Sequence, residues 1–141
     1  MLRINLFVIC LVPIIFLFNL YANNEFDSNT YINTDNIEYD NSSNKINLSG
    51  ITKINTEDIN LISDSVIIDY DKDTIEVRGG LYLNHFNSVL SGENLNGDIK
   101  LSSFKVDNVN FIYNDKLKID SKKFEKNEND IIFYDNFLTP C

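Results

Sequence analysis

Tryptophan is absent from the 141 residues, histidine and methionine occur once each, cysteine and proline twice, and glycine five times. These shortages remove whole classes of chemistry. One histidine, His85, and one cysteine beyond residue 22, Cys141, make neither a transition-metal ligand set nor a Cys–His or Ser–His pair. So few prolines and glycines exclude a collagen-like repeat or a proline-rich linker, and no glycine-rich phosphate loop occurs. Basic residues are scarce as well: 12 stand against 21 acidic ones, for a formal net charge of −9, and a nucleic-acid partner would want the opposite balance. The acidic side chains are scattered over turns and outer strand positions, which reads as a solvated surface. Asp69, Asp71 and Asp73 imitate the first ligands of a calcium loop. That imitation fails where Thr74 replaces the required glycine and Gly80 the bidentate glutamate. No carboxylate pair lies in an apolar setting that would raise one pKa, so no catalytic residue is assigned.

What is present begins with 22 residues unlike the rest. Arg3 is their lone charge, Leu6 to Leu20 is almost wholly apolar, and Tyr21-Ala22 leads into polar Asn23-Asn24-Glu25. This is the pattern of a signal peptide over 1–22, followed by a polar lead-in over 23–30. The apolar core, about 15 residues, is short for a spanning helix, which needs roughly 20. Leu20 is larger than the usual residue two before a cut, so a retained anchor is the alternative; either way the remainder is exported. Cys10 would leave with the signal. Cys141 is then the only thiol, and an odd cysteine in an exported chain points to a partner outside this segment or to an unpaired terminal thiol.

The main chain is organised around a stretch that occurs twice, Thr34 to Asn55 and Ser63 to Asn84, and the two copies superpose at one constant offset without a gap. Asp35 falls on Asp64, Asp40 on Asp69, Ile46 on Ile75, Gly50 on Gly79 and Asn55 on Asn84. The apolar phase matches too: Ile37, Ile46, Leu48 and Ile54 meet Val66, Ile75, Val77 and Leu83. Alternate apolar positions define strands with one buried face, and a unit of this length defines stacked supersecondary pieces. A looser third unit follows, with Ser91-Gly92-Glu93-Asn94-Leu95 one further step on and Phe104 to Phe111 alternating after a shift in phase.

Polar turn clusters separate these runs, so the spacing predicts an all-β antiparallel domain from 31 to 141. Strands are expected at about 31–39, 45–55, 58–69, 74–84, 88–95, 98–101, 104–113, 116–120 and 130–136. In each copy the apolar parity runs through a glycine, Gly50 or Gly79, which marks a bend within a long strand. Strands that bend midway supply both walls of a folded-over sheet, a jelly roll or an elongated solenoid. Between the walls lies an apolar slot, with Ile46, Leu48, Ile54, Val66, Ile68, Ile75, Val77, Leu81 and Leu83 as its expected lining. The same residues could equally fill a closed core. His85, in the run Asn84-His85-Phe86-Asn87, reads as an exposed turn residue.

Thr34-Asp35-Asn36-Ile37-Glu38-Tyr39-Asp40 followed by Ile46-Asn47-Leu48-Ser49-Gly50, with its echo at Ser63 to Gly79, resembles the repeat of the OstA-like domain of lipopolysaccharide-transport proteins. That group includes the periplasmic bridge LptA and the amino-terminal domain of the outer-membrane protein LptD. The ending Asp135-Asn136-Phe137-Leu138-Thr139-Pro140-Cys141 is most similar to the LptD segment in which an aromatic-Thr-x-Cys run closes the domain. The resemblance implies a β-jelly-roll or β-taco fold, no enzymatic activity and no cofactor. It also implies a periplasmic location at the outer membrane and a groove for the lipid A acyl chains of lipopolysaccharide. Implied partners are other OstA-like modules joined by edge-strand addition, together with an outer-membrane barrel and its lipoprotein plug. Cys141 matches a disulfide position by motif, although residues 23–30 lack the amino-terminal cysteine that some members carry. Because a barrel follows this domain in LptD, the chain is expected to be a fragment or a truncated reading frame.

Three other readings compete. A free-standing LptA-like bridge would oligomerise end to end on its own. A secreted β-helix enzyme acting on polysaccharide needs carboxylates converging on one exposed strand face. A purely structural surface solenoid would have a dry interior and no lipid uptake.

Overall fold

The computed structural model describes residues 30–85 and 87–141; the signal segment 1–22 and all of the lead-in except Thr30 lie outside the described residues. Among the described residues nine strands form one antiparallel sheet: β1 (Tyr31–Asn33), β2 (Asn36–Asp40), β3 (Lys45–Asn55), β4 (Ile59–Asp69), β5 (Thr74–His85), β6 (Ser88–Asp98), β7 (Phe104–Tyr113), β8 (Leu117–Lys126) and β9 (Ile131–Pro140). From β3 onward each strand pairs with the next, while β1 and β2 lie end to end along the outer side of β3. The repeat offset seen in the sequence is structural and runs further than two copies. β4, β6 and β8 begin at Ile59, Ser88 and Leu117, each one such step after the last.

The strand boundaries differ from expectation in three places. The stretch 31–39 is broken at Thr34-Asp35 into two strands. The piece 98–101 is a turn, because Asp98 draws the backbone N–H groups of Lys100, Ser102 and Ser103 onto its carboxylate and Leu101 takes a φ of 55°. The strand expected at 116–120 continues to Lys126, since the apolar alternation resumes at Phe124 after slipping by one residue.

That slip recurs in the middle of the strands and explains the architecture. In β4 the buried positions alternate as Leu61 and Ser63, then Val66 and Ile68, before buried Asp69 at the strand end; in β7 they are Phe104 and Val106, then Val109 and Phe111. A one-residue slip in a continuous strand would turn the second half's side chains outward. Here bulges absorb it. Gly50 and Ile51 stand opposite Asp64 alone, and Arg78 and Gly79 opposite Asn94. Gly50, Gly79, Asn94, Asn108 and Asp135 all have positive φ, so a crease crosses the sheet from β3 to β9. Carbonyls freed along it are met by buried hydroxyls: Ser63 Oγ donates to the Gly80 carbonyl at 3.0 Å, and Ser121 Oγ lies 2.7 Å from those of Lys123 and Tyr134.

The sheet folds over at this crease. Phe111 pairs with Ile119, five residues along β8 from Phe124, so a straight sheet would hold the two phenylalanines about 16 Å apart. Their ring centroids are 5.9 Å apart. Phe111 also meets Phe133 at 5.3 Å, although Phe133 pairs with Phe124. With no helix among the described residues to cover it, the apolar face is buried by its own other half, and Leu61, Val66, Ile68, Val77 and Leu95 are inaccessible to solvent.

Candidate functional site

Folding the sheet in two brings its rims together. The turns β3–β4 and β5–β6 lie at one end of the strands, and β4–β5, β6–β7 and β8–β9 at the other. Strands of 11 residues would separate these ends by about 35 Å if flat. Instead they share one cleft of about 510 Å³. One rim contributes Thr30, Ile54, Thr56, Asp58, Ile59 and His85, the other Ile75, Ile99, Lys100, Leu101, Ser102 and Lys126. Its volume falls in the ordinary range for small-molecule pockets, about 300–1,000 Å³.

The nine slot residues share one interior. Leu48, Ile54, Val66, Ile68, Ile75, Val77, Leu81 and Leu83 are buried in a single cluster, and Ile46 packs against it half-buried. Ile54 and Ile75 reach the cleft; the others lie deeper, where the two leaves pack against each other. Sequence reasoning missed Ile59, Ile99 and Leu101, which complete the cleft's apolar surface. Ile99 and Leu101 alternate within Asp98-Ile99-Lys100-Leu101, a pattern that reads as a strand until the capping role of Asp98 is known.

The β6–β7 turn is tightly held. Burial pushes the Asp98 carboxyl up, but the Ser102 hydroxyl and the N–H groups of Ser103, Ser102 and Lys100 outweigh it and hold the group below the usual range. Lys126 Nζ donates to the Ser102 carbonyl at 2.7 Å, tying β8 to the same turn. His85 differs from its expected exposed turn setting: it ends β5, is half-buried and faces the cleft. Burial and then the nearby Lys126 charge lower its pKa, against an upward pull from Asp58. Two buried side-chain oxygens at this rim, Thr30 Oγ1 and Asn55 Oδ1, have no hydrogen-bond partner among the described residues.

Asp69, the head of the calcium-like run, has its carboxylate engaged by Lys45 at 3.4 Å and by the Lys72 N–H at 3.1 Å. Among the described residues no group of three His, Cys, Asp or Glu could hold a metal ion, and no helix is long and apolar enough to cross a membrane.

The sheet has two edges unpaired among the described residues, β1/β2 and β9. Both expose large apolar side chains: Tyr31, Ile37 and Tyr39 on the first, Ile131, Phe137 and Leu138 on the second. Phe137 is 68% exposed and Tyr31 75%, which is unusual for residues in paired strands. Cys141 follows β9 directly, exposed and with a free thiol, its N–H donating to the Lys116 carbonyl at 3.0 Å.

No protein-family model and no curated protein matches this chain. Among solved structures it is similar to LptH of Pseudomonas aeruginosa, described as the LptA-homologous periplasmic component of the conserved lipopolysaccharide transport device. The TM-score is 0.64 at 12% identity, over 74% of this chain and 80% of the other. At that identity the likeness is one of fold.

Proposed function

We propose that this chain is a periplasmic module that carries lipopolysaccharide. Its folded sheet shelters acyl chains, and its two free edges join it to similar modules. The observation that carries the reading is a sheet folded over on its one apolar face, with a cleft of about 510 Å³ where its rims meet. Twelve-carbon acyl chains would each expose about ten methylenes in water, on the order of 8 kcal/mol per chain at about 0.8 kcal/mol each. Several chains per molecule make unshielded crossing of an aqueous compartment prohibitive, and a trough that substitutes for hydrocarbon removes most of that barrier. In this reading Ile54 and Ile75 receive the chains at the cleft, and Ile46, Leu48, Val66, Ile68, Val77, Leu81 and Leu83 line their path as the leaves part. No bond is made or broken in the lipid, so no catalytic group is required.

The fold shared with LptH supports this reading, as does the repeat motif. The finer assignment, the amino-terminal part of an LptD-like assembly protein, is supported by the ending Phe137 to Cys141 and by the exposed Cys141 thiol, which is available for a disulfide. Export by the segment 1–22 would deliver the module to the periplasm, at the outer membrane.

A photo-crosslinking residue at Ile75 or Leu81, in cells, tests the proposal. Lipopolysaccharide adducts at both positions and none at the exposed Tyr82 are expected. A folded protein that yields no adduct at either buried position would overturn it.

A further inference from the structure

We infer that the meeting rims form a head-group site for a phosphate monoester carried on an acylated amphiphile, with Lys100 and Lys126 as its cationic ligands. This deepens the lipid-carrying reading and rests on it. The chain is acidic overall, at −9, yet the cleft sets two lysines against a single carboxylate, Asp58. Both lysines sit on the rim contributed by β6–β7 and β8. Lys126 is half-buried and held by the Ser102 carbonyl, which leaves two of its three ammonium protons for a ligand. Lys100 is exposed on a turn that Asp98 fixes from within, its own N–H 3.0 Å from Asp98 Oδ1.

Compact ammonium groups bind phosphate as point charges, and low-dielectric surroundings strengthen that attraction. The apolar side chains beside them, Ile54, Ile75 and Leu101, supply those surroundings and would take the first carbons of an attached chain. Asp58 faces the lysines from the other rim and works against an anion, while burial and the Lys126 charge lower the pKa of His85 and disfavour its cationic form. Free phosphate would gain the ammonium contacts alone, whereas an amphiphile gains both.

Calorimetric titration below micellar concentrations with dodecyl phosphate, neutral dodecyl glucoside and inorganic phosphate tests the site. Dodecyl phosphate should bind about fivefold tighter than the glucoside, as two partly exposed charge contacts allow. K100Q and K126Q should each shrink that preference, and D58N should enlarge it, the preference being the ratio of the two amphiphiles' affinities measured within each variant. K100Q alters an exposed side chain, and circular dichroism verifies its fold. Equal affinities for the two amphiphiles, or a preference unmoved by K100Q and K126Q, would overturn the head-group site and leave the apolar slot standing. Inorganic phosphate binding as tightly as dodecyl phosphate would reassign the lysines to a free anion and overturn the proposal. Failure of both amphiphiles to bind would remove the lipid-carrying reading beneath it.

Discussion

Asp35 lies over Gly50 and occupies the space that a side chain there would need. Its Cβ is 2.6 Å from the place a Cβ on Gly50 would take, and its carboxylate accepts a hydrogen bond from the Ile51 N–H at 3.0 Å. The break between β1 and β2 and the crease in β3 are thus one feature. The chain leaves the edge at Thr34-Asp35 so that a carboxylate can cap the N–H that the bulge frees. Thr34 Oγ1 completes the joint, 2.8 Å from the buried Thr52 Oγ1.

The two creased glycines should therefore respond differently to alanine. Gly79 has a φ of 85° and nothing within 4 Å of its missing Cβ, so Gly79→Ala should cost only left-handed backbone strain, about 1 kcal/mol. Gly50→Ala adds the clash with Asp35 and the loss of its hydrogen bond, for about 2–3 kcal/mol. Urea denaturation separates the two, and equal costs would show that Asp35 moves aside freely.

Phe124 joins the leaves, since it touches Phe104 at 5.6 Å on its own side and Phe111 at 5.9 Å across the fold. Phe124→Ala should destabilise by about 3–5 kcal/mol, whereas Tyr113→Ala, half-exposed, should cost far less. Denaturant midpoints measured side by side decide this.

Edge addition at β9 should be sensitive to charge. Under the proposed joining of edges, Phe137→Lys or Ile132→Lys is expected to weaken association of this edge with a similar module, read by light scattering against the unsubstituted chain. Both positions are exposed, so stability should change by no more than about 0.5 kcal/mol.

Acid should loosen the turns at one end of the strands. The Ser42 and Ser43 hydroxyls bring the Asp40 carboxyl down to about 2, and Asp69 and Asp98 are lowered too, their hydrogen bonds and lysines outweighing burial. Carboxyls depressed in the folded state contribute stability that is fully present above their unfolded value of 3.8 and is lost as pH falls through the folded value. Melting temperature should be level with respect to these groups above pH 5 and fall between about pH 4 and 2. Replacing Asp98 with Asn should flatten part of that fall.

His85 acts in a higher window. Its pKa lies below 6.5 in the folded state because of burial and Lys126, so the unfolded chain binds the proton first as pH drops. Stability is then fully present above 6.5 and declines below it until the folded protein also protonates. The small decline in melting temperature just below pH 6.5 should vanish in H85Q.

The repeat was legible because identical turns and strand lengths leave identical traces: Asp40, Asp69 and Asp98 recur at one constant step and each caps a hairpin turn. That Leu48, Ile54, Val66, Ile68, Ile75, Val77, Leu81 and Leu83 turn to one buried interior was legible from alternation alone. Ile59, Ile99 and Leu101 were not, because they sit beside turns, where no periodicity marks them. Charge placement was equally hidden: Lys100 and Lys126 are separated by the whole of β7 and β8 in a sequence that gives no sign of their shared cleft.

Local sequence by itself determined that this chain forms short antiparallel strands with one apolar face, since side-chain alternation and turn chemistry act between near neighbours. It determined where each strand bends, through Gly50, Gly79 and the slips in phase. Only the tertiary structure decided that those bends align into one crease, because their register depends on pairing across the whole sheet. From that alignment follow the meeting of rims that stand at opposite ends of every strand, the cleft they enclose, and the lysines set at its mouth.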